Sequence, residues 1–245
     1  TAESQKHTLS DLVDRYIRDV LPHKTKVYVE YASQLKWWQE QIGNVRLSDL
    51  SAALISEKRD LLSRTITNRN KQMSPARVNR YMAALSTALN TSVREWEWME
   101  DNPMRKISKL KEPRGRVRYL TEEERERLFA ACKDSVNPHL YMAVVLALSA
   151  GARQQEIWGL RWSEVDLERE LITFTETKND ELRSVPLKGH ALELLKEHSK
   201  IRRIDSDLVF PSRKNPKVRH DFRDPWNKAL KVADIDDFRW HDLRH

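Results

Sequence analysis

One stretch of the chain, residues 138–149, is almost entirely apolar. A helix that is apolar on every side is stable only inside a core, so this stretch predicts a buried helix. Gly151 breaks that helix, and Arg153 follows at once at the start of the next one. A helix start carries free N–H groups and partial positive charge, so Arg153 there would add to an anion site. Glu156, one turn further on, can pair with a cation or orient its neighbours. The alternative for Arg153 is a surface arginine on a basic protein.

Composition narrows the classes of protein that fit. With 39% hydrophobic and 33% charged residues but only 5 glycines among 245 residues, we expect helix-rich structure in one large or two ordinary domains. The net charge of +7 favours a polyanionic partner, although a merely basic protein has the same balance. Cys132 is the single cysteine, which excludes an internal disulfide and a cysteine-rich zinc site, and we expect it to be packed in a core. No apolar run is long enough to span a membrane, and a reducing cytoplasm fits.

The first hundred residues predict a four-helix unit, for which we set the bounds 1–103. Apolar side chains recur there at helical spacing in several segments. Thr8 and Asp11 are spaced as a capping box, Gly43 suits a helix end, and Ser74-Pro75 is a typical helix start. The predicted helices are 8–21, 25–41, 51–62 and 74–98.

Basic residues in this unit lie at helix starts or in loops, where phosphate groups are easily reached. A solvated protein face would carry similar residues, and both interpretations remain open for each one. The expected nucleic-acid contacts in this unit are Lys24, Lys26, Arg69, Lys71, Arg77 and Arg80.

The next stretch, residues 104–118, carries seven basic residues against one acid, Glu112. With Pro113 and Gly115 it predicts an extended basic linker that lies along a phosphate backbone. A flexible tether is the alternative. The expected contacts in this linker are Arg114, Arg116 and Arg118.

Residues 119–245 mix helices with strands. Thr121 and Glu124 form a second capping box, at the start of a helix that runs to about residue 133. Two strands, 170–175 and 183–187, are joined by a turn that contains Lys178. A helix over 189–203, a short buried element over 208–211 and a helix from Asp224-Pro225 follow. The basic loop 212–223 and the second strand supply four more expected contacts, which are Arg183, Arg213, Lys214 and Arg219.

Three motifs stand in order along this second half: A-G-A-R-Q-Q-E-I at 150–157, T-K-N-D-E-L-R-S-V-P-L at 177–187, and W-H-D-L-R-H at 240–245. Their combination resembles the tyrosine recombinase (phage integrase) family. The resemblance covers residues 8–245 in architecture and 116–245 in motifs. It implies a mainly α fold with a small β-sheet, in which an N-terminal four-helix core-binding domain precedes a mixed α+β catalytic domain.

The resemblance also implies roles for residues. Arg153 and Arg244 would clamp the two non-bridging oxygens of a DNA phosphate, and Glu156 would support them. His241 would hydrogen-bond the phosphate, and Lys178 would protonate the leaving 5′-hydroxyl. A tyrosine would attack to form a 3′-phosphotyrosyl bond. Because that bond stores the energy, neither ATP nor a metal ion is required, and we expect no cofactor.

One departure from the family pattern concerns the nucleophile. The family's tyrosine follows the H-x-x-R box, whereas every tyrosine of this chain precedes Arg153. We therefore expect a C-terminally incomplete catalytic domain that is inactive for cleavage. Two alternatives stay open, a DNA-binding relative or accessory module without catalysis and an enzyme of type IB topoisomerase kind.

Partners follow from the same resemblance. They are double-stranded DNA attachment sites, further copies of the chain in a homotetramer on DNA, and a host DNA-bending protein, with a monomer in the absence of DNA. We expect the protein to act in the cytoplasm on the nucleoid, with no membrane partner.

Overall fold

The computed structural model describes residues 2–68, 70–175 and 182–244. The chain divides into two compact units, Thr1–Arg114 and Gly115–His245, and the division falls inside the predicted linker 104–118. The structure is mainly helical with one small antiparallel sheet, which confirms the expected fold class. Nowhere in the part of the chain that the structure describes is a helix both long and apolar enough to cross a membrane.

The first unit contains the predicted helices and a short one before them. Its helices are α1 Ala2–Lys6, α2 Leu9–Arg15, α3 Tyr28–Ile42, α4 Ala52–Arg64 and α5 Pro75–Arg94. Helix α2 continues without a break as a π-helical turn, Tyr16–Val20.

Local capping explains where these helices begin. Thr8 Oγ1 accepts a hydrogen bond from Asp11 N at 3.2 Å, and Asp11 Oδ2 accepts one from Thr8 N at 2.7 Å, so the predicted capping box is confirmed. Ser74 Oγ accepts from Arg77 N at 3.3 Å and caps α5. That helix ends at Arg94 rather than at 98, because Glu97 takes a left-handed φ of 56° that no helix can continue.

Gly43 follows the end of α3, as expected, but with ordinary helical dihedrals. A glycine is needed here because other atoms lie very close to its Cα atom. A Cβ atom at this position would collide with the carbonyl oxygen of Gln39 and the hydroxyl of Ser10. The glycine therefore allows α2 and α3 to approach each other closely.

The first part of the basic stretch 104–118 is packed rather than extended in solvent. Met104 is buried, and Ile107 and Leu110 pack against the core of the first unit. The buried Asn79 holds Leu110 through two hydrogen bonds of 2.9 Å, one to its carbonyl and one from its N–H. Three apolar residues among the basic ones give this segment a structure that its charge pattern does not reveal.

The second unit is built around the apolar stretch. Helix α7 spans Leu140–Ala150, and it packs against three other helices and the last turn of the described chain. Gly151 follows with a left-handed φ of 53°, which explains the glycine at this break. The helices are α6 Glu122–Lys133, α7 Leu140–Ala150, α8 Gln154–Trp158, α9 Gly189–Ser199 and α10 Arg223–Val232.

Strands β1 Val165–Asp166, β2 Leu171–Phe174 and β3 Arg183–Pro186 form one antiparallel sheet in that order. Register pairs Ile172 with Val185 and Phe174 with Arg183. The first strand was not predicted, because two residues are too few to show an alternating pattern. The predicted turn with Lys178 lies outside the described residues.

Cys132 lies in α6 with 1% of its surface exposed, so the predicted core position is confirmed. Burial raises the pKa of its thiol to about 12. The thiolate is therefore scarce at neutral pH, and this cysteine plays no part in the chemistry discussed below.

Candidate active site

Arg153 occupies the N-cap of α8, directly after the left-handed turn at Gly151. Its backbone N–H donates to Glu156 Oε2 at 2.7 Å, and its guanidinium Nη1 donates to Glu156 Oε1 at 2.8 Å. The expected position at a helix start is confirmed. Because Glu156 is in the first turn of the same helix, the backbone itself fixes the carboxylate next to the arginine. The Arg153 side chain remains 35% exposed and can still meet a ligand.

Glu156 is a buried carboxylate held by two arginines. Its side chain is 4% exposed, and Oε2 also accepts from Arg183 Nη2 at 2.7 Å. Burial alone would raise the pKa of Glu156, but hydrogen bonds from Arg153 and the charges of both arginines outweigh it, so the pKa is lowered. The carboxylate is therefore ionised at neutral pH.

The C-terminal box forms a 3-10 turn, Trp240–Arg244. Trp240 is buried, and its ring lies 5.3 Å from that of Trp158 and 5.0 Å from that of Trp226. Since Trp158 is the last residue of α8, this aromatic contact holds the box against the helix that starts at Arg153. Helix α8, which starts after Arg153, and the turn that carries His241 and Arg244 therefore pack together through one aromatic cluster. This cluster consists of Trp158, Phe222, Trp226 and Trp240.

The side chains of the box differ in exposure. His241 is exposed and Arg244 is half-buried, whereas Asp242 and Leu243 are buried. Asp242 accepts hydrogen bonds from the guanidinium of Arg116 and from Arg239 N. The buried acid thus anchors the turn, while the histidine and the second arginine are left towards the surface.

Several arginines expected to contact nucleic acid have protein partners. Arg116 pairs with Asp242 and Asp237, Arg183 with Glu156, and Arg219 with the side chain of Gln155. Arg118 binds Glu124, and this hydrogen bond is the main reason why the pKa of Glu124 falls to about 2. These four arginines therefore make contacts that stabilise the second unit.

Among the described residues, the remaining expected contacts are exposed. Lys26, Arg77 and Arg80 line one cleft of about 710 Å³ between the starts of α3 and α5. Arg80 also lies 3.7 Å from the exposed carboxylate of Glu30. Lys24 Nζ donates to Tyr16 Oη at 2.8 Å. The other residues of this group are Lys71, Arg114, Arg213 and Lys214. Two expected site residues, Arg69 and Lys178, lie outside the described residues.

Sequence reasoning missed two features of this site. Arg183 contacts Glu156, and Arg116 contacts Asp242. The two partners of each pair are far apart in the chain, so no local sequence pattern predicts the contact. The aromatic cluster was visible only as frequent tryptophans near the motifs. Across residues 2–68, 70–175 and 182–244, no group of three or more His, Cys, Asp or Glu side chains is arranged to hold a metal ion.

Comparison with known proteins extends over both units. A family model for the N-terminal domain of phage integrases matches residues 5–111, and the model of the phage integrase family matches residues 118–245. The chain is 29% identical over 246 residues to a shufflon-specific DNA recombinase of Escherichia coli, covering 98% of this chain and 61% of that protein. It is 31% identical over 176 residues to the integrase of Salmonella phage P22, covering 67% of this chain and 44% of that one.

Solved structures show the same fold. A lambda integrase dimer bound to a COC′ core site matches with a TM-score of 0.71 at 21% identity, covering 97% of this chain and 68% of that chain. The Tn1549 transposon integrase in complex with transposon right end DNA matches with a TM-score of 0.76 at 17% identity, covering 97% and 84%. The chain spans about three-fifths of the length of the shufflon recombinase, so its relatives are longer proteins. Because the family model over residues 118–245 covers more than half of the chain, this protein belongs to the phage integrase family.

Proposed function

We propose that this protein is a site-specific DNA recombinase of the tyrosine recombinase type, which integrates or excises a mobile element. The observation that supports it most is the joint placement of Arg153 and the His241–Arg244 box. Glu156 anchors Arg153 at one end of α8, and Trp158 at the other end contacts Trp240 of the box. Two arginines and a histidine on such elements suit a phosphodiester in its transition state.

In the proposed reaction a tyrosine located downstream of Arg244 attacks the scissile phosphorus. The P–O5′ bond breaks as the tyrosyl O–P bond forms, the tyrosine hydroxyl gives its proton to His241, and the 5′-oxygen leaves with a proton from Lys178. Arg153 and Arg244 neutralise the two non-bridging oxygens, and His241 hydrogen-bonds the phosphate. The 5′-hydroxyl of a second strand then attacks the phosphorus of the 3′-phosphotyrosyl group and returns a proton to Lys178. The tyrosyl O–P bond breaks, and the tyrosine leaves with the proton held by His241. One P–O bond replaces another at each step, so no ATP is consumed.

We propose a division of labour between the parts of the chain. Residues 1–103 bind the core of a double-stranded attachment site, residues 104–118 follow the phosphate backbone, and residues 119–245 carry out the chemistry. The protein assembles as a homotetramer on DNA in the cytoplasm, with a host DNA-bending protein as a further partner. Lambda integrase has been solved as a tetramer bound to a Holliday junction, which supports this assembly.

DNA binding by this chain should depend steeply on salt. Each neutralised phosphate releases counterions, so six to ten contacts predict a loss of about 1,000-fold or more in affinity between 50 and 200 mM salt. The measurement is fluorescence anisotropy with a labelled duplex across that range. Replacing Lys26, Arg77 and Arg80 by Ala should reduce the slope by about three, because three phosphates are then no longer neutralised.

The matched control removes the same charge elsewhere in the first unit. Lys6, Arg18 and Lys58 lie outside this cleft, and replacing them by Ala should leave the slope unchanged. A flat titration for the unaltered chain would contradict DNA binding. An equal loss of slope in both triple variants would show that net charge, and not the cleft, controls the affinity.

Lys178 should act through the leaving group. In a protein that is extended past codon 245 so that it carries the proposed tyrosine, Lys178→Ala should slow cleavage of ordinary DNA. A 5′-bridging phosphorothiolate at the scissile position should restore much of the rate, because a thiolate leaves without being protonated. The comparison is the ratio of the two cleavage rates in the variant and in the unaltered protein. Equal slowing on both substrates would rule out the general-acid role.

A further inference from the structure

The carboxylate of Glu156 links three parts of the second unit. It caps α8 by accepting from Arg153 N, it pairs with the Arg153 guanidinium, and it pairs with Arg183 on β3. One buried negative charge is thus shared between two arginines, which leaves the group with a net charge of +1. Neither the family comparisons nor the predicted motifs give Arg183 a part in this group.

The balance of charges decides how Arg153 can act. If Glu156 paired with Arg153 alone, the pair would be neutral and would stabilise a phosphate poorly. A second guanidinium on the same carboxylate offsets the acid, so the positive charge of Arg153 stays available. The buried acid in turn needs both partners, since an incompletely paired carboxylate in a protein interior is costly.

The surroundings of Arg183 fit this role better than contact with DNA. The sheet register places Arg183 opposite Phe174, and its guanidinium lies over that ring with 5.0 Å between the guanidinium carbon and the ring centroid. Phe174 is buried, and the Arg183 side chain is 33% exposed. The guanidinium is therefore stacked on one side and bound to the carboxylate at its end, which fixes its direction.

We propose that Arg183 is a positioning residue, which holds Glu156 and keeps the Arg153 guanidinium both in place and electrostatically available for the scissile phosphate. The inference rests on the proposed recombinase function and adds to it a residue that the sequence had suggested as a DNA contact. Arg183 itself does not touch the reacting atoms. Its position at the start of β3 also ties α8 to the strand that follows the predicted Lys178 turn.

A double-mutant cycle tests the charge argument in the protein extended past codon 245. Arg183→Met should lower the cleavage rate at saturating DNA by about 10-fold, because Glu156 then neutralises Arg153. Its DNA affinity and salt slope should stay within about twofold of the unaltered values. Adding Glu156→Gln to Arg183→Met should recover part of the rate, since removal of the acid frees Arg153 again. Arg183→Lys, which keeps the charge, should be faster than Arg183→Met.

The control is Arg127→Met, which removes another arginine of the same unit, an exposed one that donates to the Ala233 carbonyl at 2.8 Å. It should leave the rate unchanged. If Arg183→Met weakens DNA binding and reduces the salt slope by about one, with no recovery from Glu156→Gln, Arg183 is a DNA contact and the proposal is overturned. The same holds if Arg183→Lys is no faster than Arg183→Met.

A second measurement needs no cleavage and uses the chain of 245 residues directly. Carboxyl-carbon NMR can follow the ionisation of Glu156, whose pKa is lowered in part by the charge of Arg183. Arg183→Met should raise that pKa, and Arg127→Met should not. An unchanged pKa would overturn the proposal even if recombination is confirmed. If the extended, unaltered protein does not cleave DNA, the recombinase function fails while the NMR result still decides whether Arg183 controls Glu156.

Discussion

Arg153→Ala and Arg244→Ala should each lower the rate of DNA cleavage by about 100-fold or more in the protein extended past codon 245. Each guanidinium is proposed to stabilise charge that develops on the phosphate during attack, and the loss of one preorganised donor of this kind costs on that scale. The rate is measured as formation of the covalent adduct on a nicked substrate at saturating DNA. Affinity should fall far less, because many other cations hold the backbone.

The two variants should differ in stability. Arg153→Ala removes a partner of the buried Glu156, so it should also lower the free energy of unfolding. Arg153→Lys keeps the charge but not the fork that donates to the carboxylate, and it separates the electrostatic part from the structural part. Arg169→Ala is the matched control, since this exposed arginine of the same unit pairs with a neighbouring acid. Equal losses of affinity and rate in Arg153→Ala and Arg244→Ala would show that these residues bind DNA without acting in the chemical step.

Most of the fold was accessible from local patterns. The apolar run at 138–149 and the capping residues Thr8, Ser74 and Thr121 act within one or two helical turns, and each corresponds to a helix in the structure. What was missed depends on distant residues. The segment after Pro103 packs because Asn79 binds Leu110, and strand β1 exists because β2 pairs with it. Such contacts leave no periodic signal in the segment itself.

In the candidate site, too, local sequence signals predicted some features, whereas contacts between distant residues could not be predicted. Arg153 was placed correctly at a helix start, because the glycine that ends α7 and the glutamate one turn later are local signals. Arg116 and Arg183 were assigned to DNA on charge alone. Their partners, Asp242 and Glu156, are 126 and 27 positions away, and only the folded chain reveals which of the basic residues are used internally. For a basic residue near a motif, pairing with a buried acid should therefore be considered before phosphate binding is assigned to it.

Trp240→Ala should destabilise the second unit by about 3–5 kcal/mol, the range for removing a large aromatic side chain from a core. Trp240 is 5% exposed, and its ring contacts those of Trp158, Phe222 and Trp226. Removing it opens a cavity between the end of α8 and the C-terminal box. The measurement is chemical denaturation of the 245-residue chain, followed by near-ultraviolet circular dichroism, and unfolding of the first unit should be unaffected.

A smaller change at the same position separates packing from hydrogen bonding. The indole N–H of Trp240 is buried and has no hydrogen-bond partner among the residues described by the structure. Trp240→Phe therefore removes ring volume but also an unsatisfied donor, and it should cost far less than Trp240→Ala. Val232→Ala, at an exposed position of the same unit, should be nearly neutral. If Trp240→Ala were as mild as Val232→Ala, the aromatic cluster would not hold the box against α8, and the joint placement of Arg153, His241 and Arg244 would need another cause.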